Sequence, residues 1–393
     1  MIQNLPRDIA LDILSRLPIS SLNQIQYVCK TWYVLTRDQS LPVVFDAHAS
    51  NRNPGLVLHS DCLKQNKLYF LENSDGADQC YSNSKVRRID AKLKSFIDEY
   101  QIVGSCNGLI CLADALNFNA MIVCNPLTGN VIKLPKENEY PKREVALGFG
   151  YHPTTKEYKV VRLVYSVNIN HGIWSMNSDF QVLTLGTKKW RSLKSLPLSL
   201  DQNPSNALLN GALHWVTARN KTTCFPGPGL KIISFDIAKE TFREIPLPVC
   251  GSLDVCNFEL VVLGQCLSAA VCHSDGSIEI WRMKEYGMKE SWIKDYVIRG
   301  YMPIRLNSTA AGPMYARPWK KSTESKGVVQ VVCVLKNGEI LLQYMNGAFV
   351  LYNPLNKEFN DLVIPGLPKR FCTIAHVESL SFDEIWRNGS KKQ

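Results

Sequence analysis

The chain has 393 residues, 45% hydrophobic and 20% charged, which is ordinary for a soluble globular protein. The formal net charge of +10 is scattered, with only Arg317–Lys326 and the tail at Arg387–Lys392 locally basic, so no nucleic-acid surface is expected. No window approaches the roughly 18 uninterrupted apolar residues of a membrane span, and Arg7, Asp8, Asp12 and Arg16 interrupt any apolar leader, so no membrane contact and a cytoplasmic and/or nuclear location are expected.

The first 40 or so residues read as helical. Pro6 suits a first helical position, where its missing N–H would be unpaired anyway. At 100° per residue Ile9, Ala10, Ile13, Leu14 and Leu17 share one side, and Leu5 and Leu11 widen it. That stripe is broader than a surface helix needs and calls for two neighbours. Pro18 ends the helix, and Ser20 or Ser21 is the expected cap of a second one carrying Leu22, Ile25, Val28, Cys29 and Trp32. A turn near Lys30-Thr31 leads to a short last helix ending near Thr36. A piece this small is near the lower limit for an unassisted fold. It needs either a permanent protein partner or a seat on the remaining chain.

From Pro42 to Tyr100 the pattern is weak, with strands at Gly55–His59, Lys67–Leu71 and Val86–Leu93. A phrase then recurs about every 50 residues: a Gly turn, apolar strands, Asn-Pro or Asp, a Thr/Lys turn, and a close on Leu-Pro. The first copy runs from Cys106-Asn107-Gly108 through Asn125-Pro126-Leu127-Thr128-Gly129 to Leu134-Pro135. Further copies begin near Leu147, Leu209, Leu260 and Val328. Radial repetition of short antiparallel sheets is the mark of a β-propeller. The fold class is therefore a small all-α module followed by an all-β propeller of about six blades, with seven as the alternative. Phe371–Val377 and Ser379–Phe382 are expected to pair with early strands and close the ring. The expected division is 1–44 for the helical module, 45–386 for the propeller and 387–393 for a basic tail.

Motifs for bond chemistry are missing. There is no phosphate loop, no His-Glu-x2-His and no Cys-x2-Cys, and Cys106/Cys111, Cys250/Cys256 and Cys266/Cys272 are wrongly spaced for zinc. His152 and His214 have no nucleophile beside them in sequence. The 13 cysteines read as buried free thiols and the tryptophans as blade core. No catalytic residue, metal or cofactor is expected.

Leu-Pro-x-Asp-Ile at Leu5–Ile9, Asp-Ile-Leu-Ser-Arg-Leu-Pro at Asp12–Pro18, and Val-Cys-Lys-x-Trp at Val28–Trp32 together resemble the F-box. Residues 3–44 carry the likeness. It implies docking on a Skp1-like adaptor, and through it on a cullin and a RING protein, by Leu5, Pro6, Ile9, Ile13, Leu14, Leu17, Pro18, Leu22, Val28, Cys29 and Trp32. Ser105–Leu109, Asn125–Gly129 and Gly148–Tyr151 are similar to the F-box-associated domain of plant F-box proteins, over roughly residues 100–365. The resemblance implies a substrate receptor of an SCF-type ubiquitin ligase, with a propeller that is kelch-like but lacks paired Gly-Gly. The alternatives are a scaffold without ubiquitination and an enzyme on the propeller. Loops at Val167–Ser178, Lys221–Leu230 and Tyr301–Lys326 are the expected contacts for an unidentified target protein, above all Tyr315, Arg317 and Trp319.

Overall fold

The computed structural model describes residues 5–380 except 50, 63–64, 73–80, 82–83, 90–96, 98–99, 116–119, 137–144, 171–172, 194–199, 201–206, 218–229, 251–256, 305–328 and 345–346; side chains at 20, 61–66, 165–177 and 257 also lie outside this description. Four helices come first. Helix α1 (Arg7–Ser15) starts just after Pro6, which stands at the N-cap rather than inside the first turn. Helix α2 (Ile19–Ile25) follows Pro18 with no side-chain cap, and Ser20 and Ser21 fall within it. The expected serine cap is thus corrected: the chain leaves Pro18 already in line for the helix. Helix α3 (Lys30–Leu35) follows extended Cys29. Helix α4 (Leu41–Ala49) crosses the expected boundary at residue 44, and its buried Leu41, Phe45 and Ala49 repeat every fourth residue. Pro42 and the β-branched pair Val43-Val44 masked that helix in the sequence, although proline is tolerated in a first turn.

Six four-stranded antiparallel sheets follow. The chain first lays down β1 (Gly55–Cys62), β2 (Gln65–Leu71) and β3 (Val86–Arg88). Blade 1 is β4 (Tyr100–Cys106), β5 (Leu109–Asp114), β6 (Met121–Cys124) and β7 (Val131–Lys133). Blade 2 is β8 (Val145–His152), β9 (Glu157–Asn170), β10 (Ile173–Thr184) and β11 (Arg191–Leu193). Blade 3 is β12 (Ala207–Leu209), β13 (Ala212–Val216), β14 (Ile232–Asp236) and β15 (Thr241–Ile245). Blade 4 is β16 (Asn257–Leu263), β17 (Cys266–Cys272), β18 (Ile278–Met283) and β19 (Trp292–Ile298). Blade 5 is β20 (Val329–Val334), β21 (Ile340–Tyr344), β22 (Ala348–Asn353) and β23 (Glu358–Leu362). Strand β24 (Cys372–His376) then pairs with β1, from Gly55↔His376 to His59↔Cys372, and gives blade 6 the order β24-β1-β2-β3. The ring has six blades; the seven-blade alternative is not supported.

Each repeated phrase has a physical job. Asn107-Gly108 and Asn210-Gly211 both have positive φ (45° and 74°, 51° and 71°), the geometry of the two-residue hairpin turn that suits strand twist. Asn125 receives the N–H groups of Leu127 and Thr128 at 2.9 and 3.1 Å on its side-chain oxygen, so Asn-Pro-Leu-Thr-Gly folds as a local turn. Proline after an outer strand ends the ladder and leaves its carbonyl for the next blade. Trp190 donates to Pro135 at 2.9 Å and Trp292 donates to Pro246 at 2.9 Å, while Trp215 crosses to Leu147 at 3.1 Å.

Two further expectations change. Val167–Ser178 is a ladder rather than a loop: β9 and β10 stay paired to Asn170↔Ile173, six residues beyond Val164, the partner of the first residue of β8. Its polar residues alternate with apolar ones at the strand period, and composition alone hid that. Ser379–Leu380 forms no strand; it crosses to α4, where Ser379 Oγ and Leu380 N donate to Asp46 at 2.8 and 3.1 Å.

The helical module is seated on the ring. Leu11, Leu14, Ile19, Leu22, Trp32, Leu41 and Phe45 share one apolar cluster with Val57, Phe70, Ile110, Leu112, Ile122 and Leu127. Asn23 Nδ2 donates to the Leu127 carbonyl at 3.3 Å. This seat supplies the core that 45 residues lack alone.

Two histidines are held neutral inside the ring. His214 lies between the Ala207 carbonyl and Tyr286 Oη (2.9 and 2.7 Å), and burial pushes it down to about 4. Burial likewise pushes His376 down to about 3. In the unfolded chain both would titrate near 6.5, so below that pH the unfolded state binds protons the fold refuses. Stability present above pH 6.5 should fall as pH drops toward 4, by up to about 1.4 kcal/mol per pH unit for each histidine. Urea midpoints between pH 7.5 and 5 should record this, and His214→Gln should flatten the slope. In the same assay, Trp292→Phe should cost about 1–3 kcal/mol by leaving the Pro246 carbonyl without its donor.

Candidate functional site

Helix α1 presents two apolar faces one residue apart. Ala10, Leu11 and Leu14 are buried at 2%, 3% and 0%, whereas Leu5, Ile9 and Ile13 are exposed at 38%, 49% and 40%. Both sets follow the i, i+4 spacing of one helix face. The same division continues beyond α1. Leu22 and Trp32 are buried, while Tyr27, Val28, Tyr33, Val34 and Val43 are exposed. Eight of the eighteen exposed large apolar side chains among the described residues therefore fall between residues 5 and 43. That is about a tenth of the chain, and such concentration marks an interaction surface.

Each expected docking residue now has a place. Leu5, Pro6, Ile9, Ile13, Val28 and Cys29 lie on the surface, and Leu17 and Pro18 are half-buried at the α1–α2 corner. Leu14, Leu22 and Trp32 fill the cluster shared with the propeller. Tyr27, Tyr33, Val34 and Val43 join the surface without having been singled out. Assigning one apolar stripe to each helix hid them, since Tyr33 and Val34 follow buried Trp32 directly but are exposed.

Polar contacts fix the shape of this surface. Arg7 donates to both oxygens of Asp38 at 2.8 Å and ties the start of α1 to the α3–α4 turn. The Arg7 guanidinium, with the Ser40 N–H, holds the Asp38 carboxyl below its usual range. Asp12 takes Arg16 at 2.9 Å and His48 at 3.1 Å, chiefly through Arg16 sits below its usual range, and so joins α1 to α4. Arg52 donates to the Arg16 carbonyl at the end of α1 at 2.5 Å.

The propeller was expected to hold no bond chemistry. Burial pushes the thiols of Cys106 and Cys124 up to about 12, far from a nucleophilic thiolate. Among the described residues no group of His, Cys, Asp and Glu could hold a metal ion. Ser105 Oγ lies 2.8 Å from His376 Nδ1, the spacing of a nucleophile and its base. Yet burial makes His376 a very weak base, and its Nε2 has no hydrogen-bond partner to orient the ring. His152 lies against Gly211, and His214 is enclosed between Ala207 and Tyr286. Tyr315, Arg317 and Trp319 fall outside the described residues, as does most of Lys221–Leu230. Of the third loop, Tyr301 stacks on Phe359 at 4.3 Å and donates to Asp361 at 2.9 Å.

Comparison with known proteins matches both parts. A family described as F-box associated beta propeller domain covers residues 58–385, and one described as F-box-like covers residues 2–41. An F-box protein of Arabidopsis thaliana is 40% identical over 407 residues, 98% of this chain and 94% of its own. An F-box/kelch-repeat protein of the same plant is 30% identical over 316 residues, 76% of this chain and 80% of its own. A solved fungal lectin of Aleuria aurantia with a six-bladed β-propeller fold aligns over 80% of this chain and 97% of its own, at a TM-score of 0.40 and 7% identity, too distant to inform function.

The two faces of α1 should separate by mutation. Ile9→Asp and Ile13→Asp, on the exposed face, should shift unfolding stability by no more than about 0.5 kcal/mol. Leu14→Asp buries a carboxylate in the shared cluster and should cost more than about 3 kcal/mol. Urea denaturation of the three variants checks both figures.

Proposed function

The chain belongs to the F-box proteins that carry an F-box-associated β-propeller, and we propose that it is the substrate-recognition subunit of an SCF-type ubiquitin ligase. The observation that carries this is the exposed apolar face of residues 5–43, set beside a buried face that already satisfies the fold. A Skp1-like adaptor covers that face and brings a cullin and a RING protein with it. Burying Leu5, Ile9, Ile13, Tyr27, Val28, Tyr33, Val34 and Val43, which are 38% to 83% exposed, supplies about 1 kcal/mol apiece. The sum is of the order needed to offset the freedom lost on association.

The mechanism is positional. The propeller holds a target protein, and the adaptor face holds the machinery that carries activated ubiquitin. Target lysines then meet the charged enzyme at an effective concentration in the millimolar range rather than by free encounter. The chain contributes no nucleophile, no cofactor and no metal to the transfer. The protein works in the cytoplasm, the nucleus or both, without a nucleic-acid or membrane partner.

Adaptor capture tests this directly. Intact chain should recover adaptor and cullin, and the Ile9→Asp, Ile13→Asp double variant should bind adaptor at least about 100-fold more weakly while staying folded. Leu14 is not used as a docking probe, because it is part of the core. Full adaptor binding by the folded double variant would sink the docking surface. Recovery of adaptor without cullin would instead favour a scaffold that drives no ubiquitination.

A further inference from the structure

In three blades the turn between the third and fourth strands has the same geometry. In blade 1 the Asn125 side-chain oxygen takes the N–H groups of Leu127 and Thr128, and Gly129, at a φ of 76°, closes on the Asn125 carbonyl at 2.9 Å. In blade 3 Asp236 does the same for Ala238 and Lys239, and Glu240, at a φ of 53°, closes at 2.8 Å. In blade 5 Asn353 takes the Leu355 N–H at 2.9 Å, and Lys357, at a φ of 61°, closes at 2.9 Å. The third residue of the turn is what differs. Leu127 is 6% exposed beneath the helical module: Asn23 of α2 donates to its carbonyl at 3.3 Å, and Leu22 shares its apolar cluster. Ala238 shows that the turn itself requires no leucine there. Leu355 is 91% exposed, the most exposed large apolar side chain among the described residues. Lone surface leucines are common, but this one occupies a position that, two blades away, already seats a helix.

A groove of about 430 Å³ opens beside Leu355, with Asn353, Asn356, Phe359, Glu339 and Glu358 in its wall. The Asn337 and Asn356 amides donate to Glu339 and Glu358 at 2.8 and 2.5 Å and fix both carboxylates. Neither carboxylate has an ion pair among the described residues. We propose that Leu355 and this groove are the docking site for a basic amphipathic helix of the target protein. Blade 1 supplies the template: what lies on Leu127 is a helix with an apolar residue followed by a side-chain donor, Leu22-Asn23. On blade 5 an apolar residue of the incoming helix covers Leu355, and a lysine or arginine beside it enters the groove. Glu339 and Glu358 select the sign, since an acidic helix would set like charges against them. The groove lies within the range of about 300 to 1,000 Å³ that holds whole small ligands, so it has room for two basic side chains one helical turn apart. All blades have the same antiparallel strand order, so their third-to-fourth turns open on one end of the ring, and β1 begins at that end too. Leu355 is therefore on the end that carries the helical module, one blade round from its seat on blades 6 and 1.

That the helix belongs to a target rests on the receptor reading above; the leucine and its groove do not. Binding is therefore measured with neither adaptor nor ubiquitin, on the full chain carrying Ile9→Asp and Ile13→Asp so that the exposed face of α1 takes no part. The probe is a fluorescent, Ala-based helical peptide of about 18 residues, with leucines at i, i+3, i+4 and i+7 and lysines bordering that stripe. One twin has glutamate for the lysines and another has serine for the leucines. By anisotropy the basic peptide should bind saturably, and both twins at least about tenfold more weakly. Leu355→Ser should weaken it by about tenfold or more. The Glu339→Gln, Glu358→Gln pair should weaken it by about 3- to 10-fold and remove the preference for lysine over glutamate. Thermal midpoints within about 2 °C of the parent show that the variants are folded; one outside that limit is replaced by Leu355→Ala or by Glu358→Gln alone, with the same direction expected. No saturable binding, equal binding of the acidic twin, or binding unchanged by Leu355→Ser overturns the site. Self-association of the parent that Leu355→Ser abolishes in the ultracentrifuge gives the site to a second copy and overturns the target assignment. In the assembled ligase, a lysine-bearing reporter fused to the basic helix should be ubiquitinated at least about fivefold faster with Leu355 than with Leu355→Ser; equal rates overturn that assignment as well. Loss of adaptor capture sinks the receptor reading and leaves the peptide titrations untouched.

Discussion

The pairing of β24 with β1 is the contact on which the remaining structure depends. Five register pairs join residues more than 300 positions apart. Closing a loop of that length costs about 5 kcal/mol beyond a constant. Leu56, Val57 and Leu58 are wholly buried on one strand and Thr373 and His376 nearly so on the other, and apolar burial of that extent outweighs the cost. Without it blades 1 and 5 would each lose a neighbouring sheet, and β1 would be left as an open edge of the kind that invites aggregation. With it, the first and last strands of the ring meet in blade 6.

That meeting explains where the helical module sits. It precedes β1, and the segment after β24 reaches it within a few residues. Val377 accepts from Gly108 at 2.9 Å, Ser379 accepts from Asn125 and donates to Asp46, and Leu380 N also donates to Asp46. The inner face of the module finishes its core on blades 1 and 6. The outer face is released from any duty to the fold. A helix with apolar residues on both sides is unstable alone, but one seated in this way can leave Ile9 and Ile13 in solvent at small cost. The seat on the remaining chain and the proposed protein partner, which read as alternatives for this segment, can be served by its two different faces.

The interior of the ring shows the opposite economy. Cys111, Cys124 and His376 sit at 0–1% exposure, where a charge would be heavily penalised. The thiols rise and the imidazole falls, so each group stays neutral at ordinary pH. The same burial that makes them good blade filling makes them poor nucleophiles and bases. Ser105 and His376 have the spacing of a catalytic pair, yet their surroundings remove the chemistry.

Much of this was legible from local pattern. Alternation at period two located most strands, because one residue's slip would turn a buried face to water. Asn-Gly and Asn-Pro marked turns because few residues accept positive φ or lend a side-chain oxygen to two following N–H groups. Leu5–Trp32 announced a docking module because its apolar residues exceeded what one helix face can bury. Helix α4, the extended β9–β10 ladder and the strap at Ser379 were missed, since proline, polar alternation and a short irregular segment carry no distinct period. Which leucines face inward was also beyond the sequence. Ile13 and Leu14 are neighbours of similar hydropathy, and only the position of blades 1 and 6 makes one a surface residue and the other core. Local order is set by interactions a few residues apart and is therefore written in the sequence. The choice of six blades over seven, the register of β24 on β1 and the sidedness of α1 depend on contacts across hundreds of residues, and the tertiary structure alone decided them.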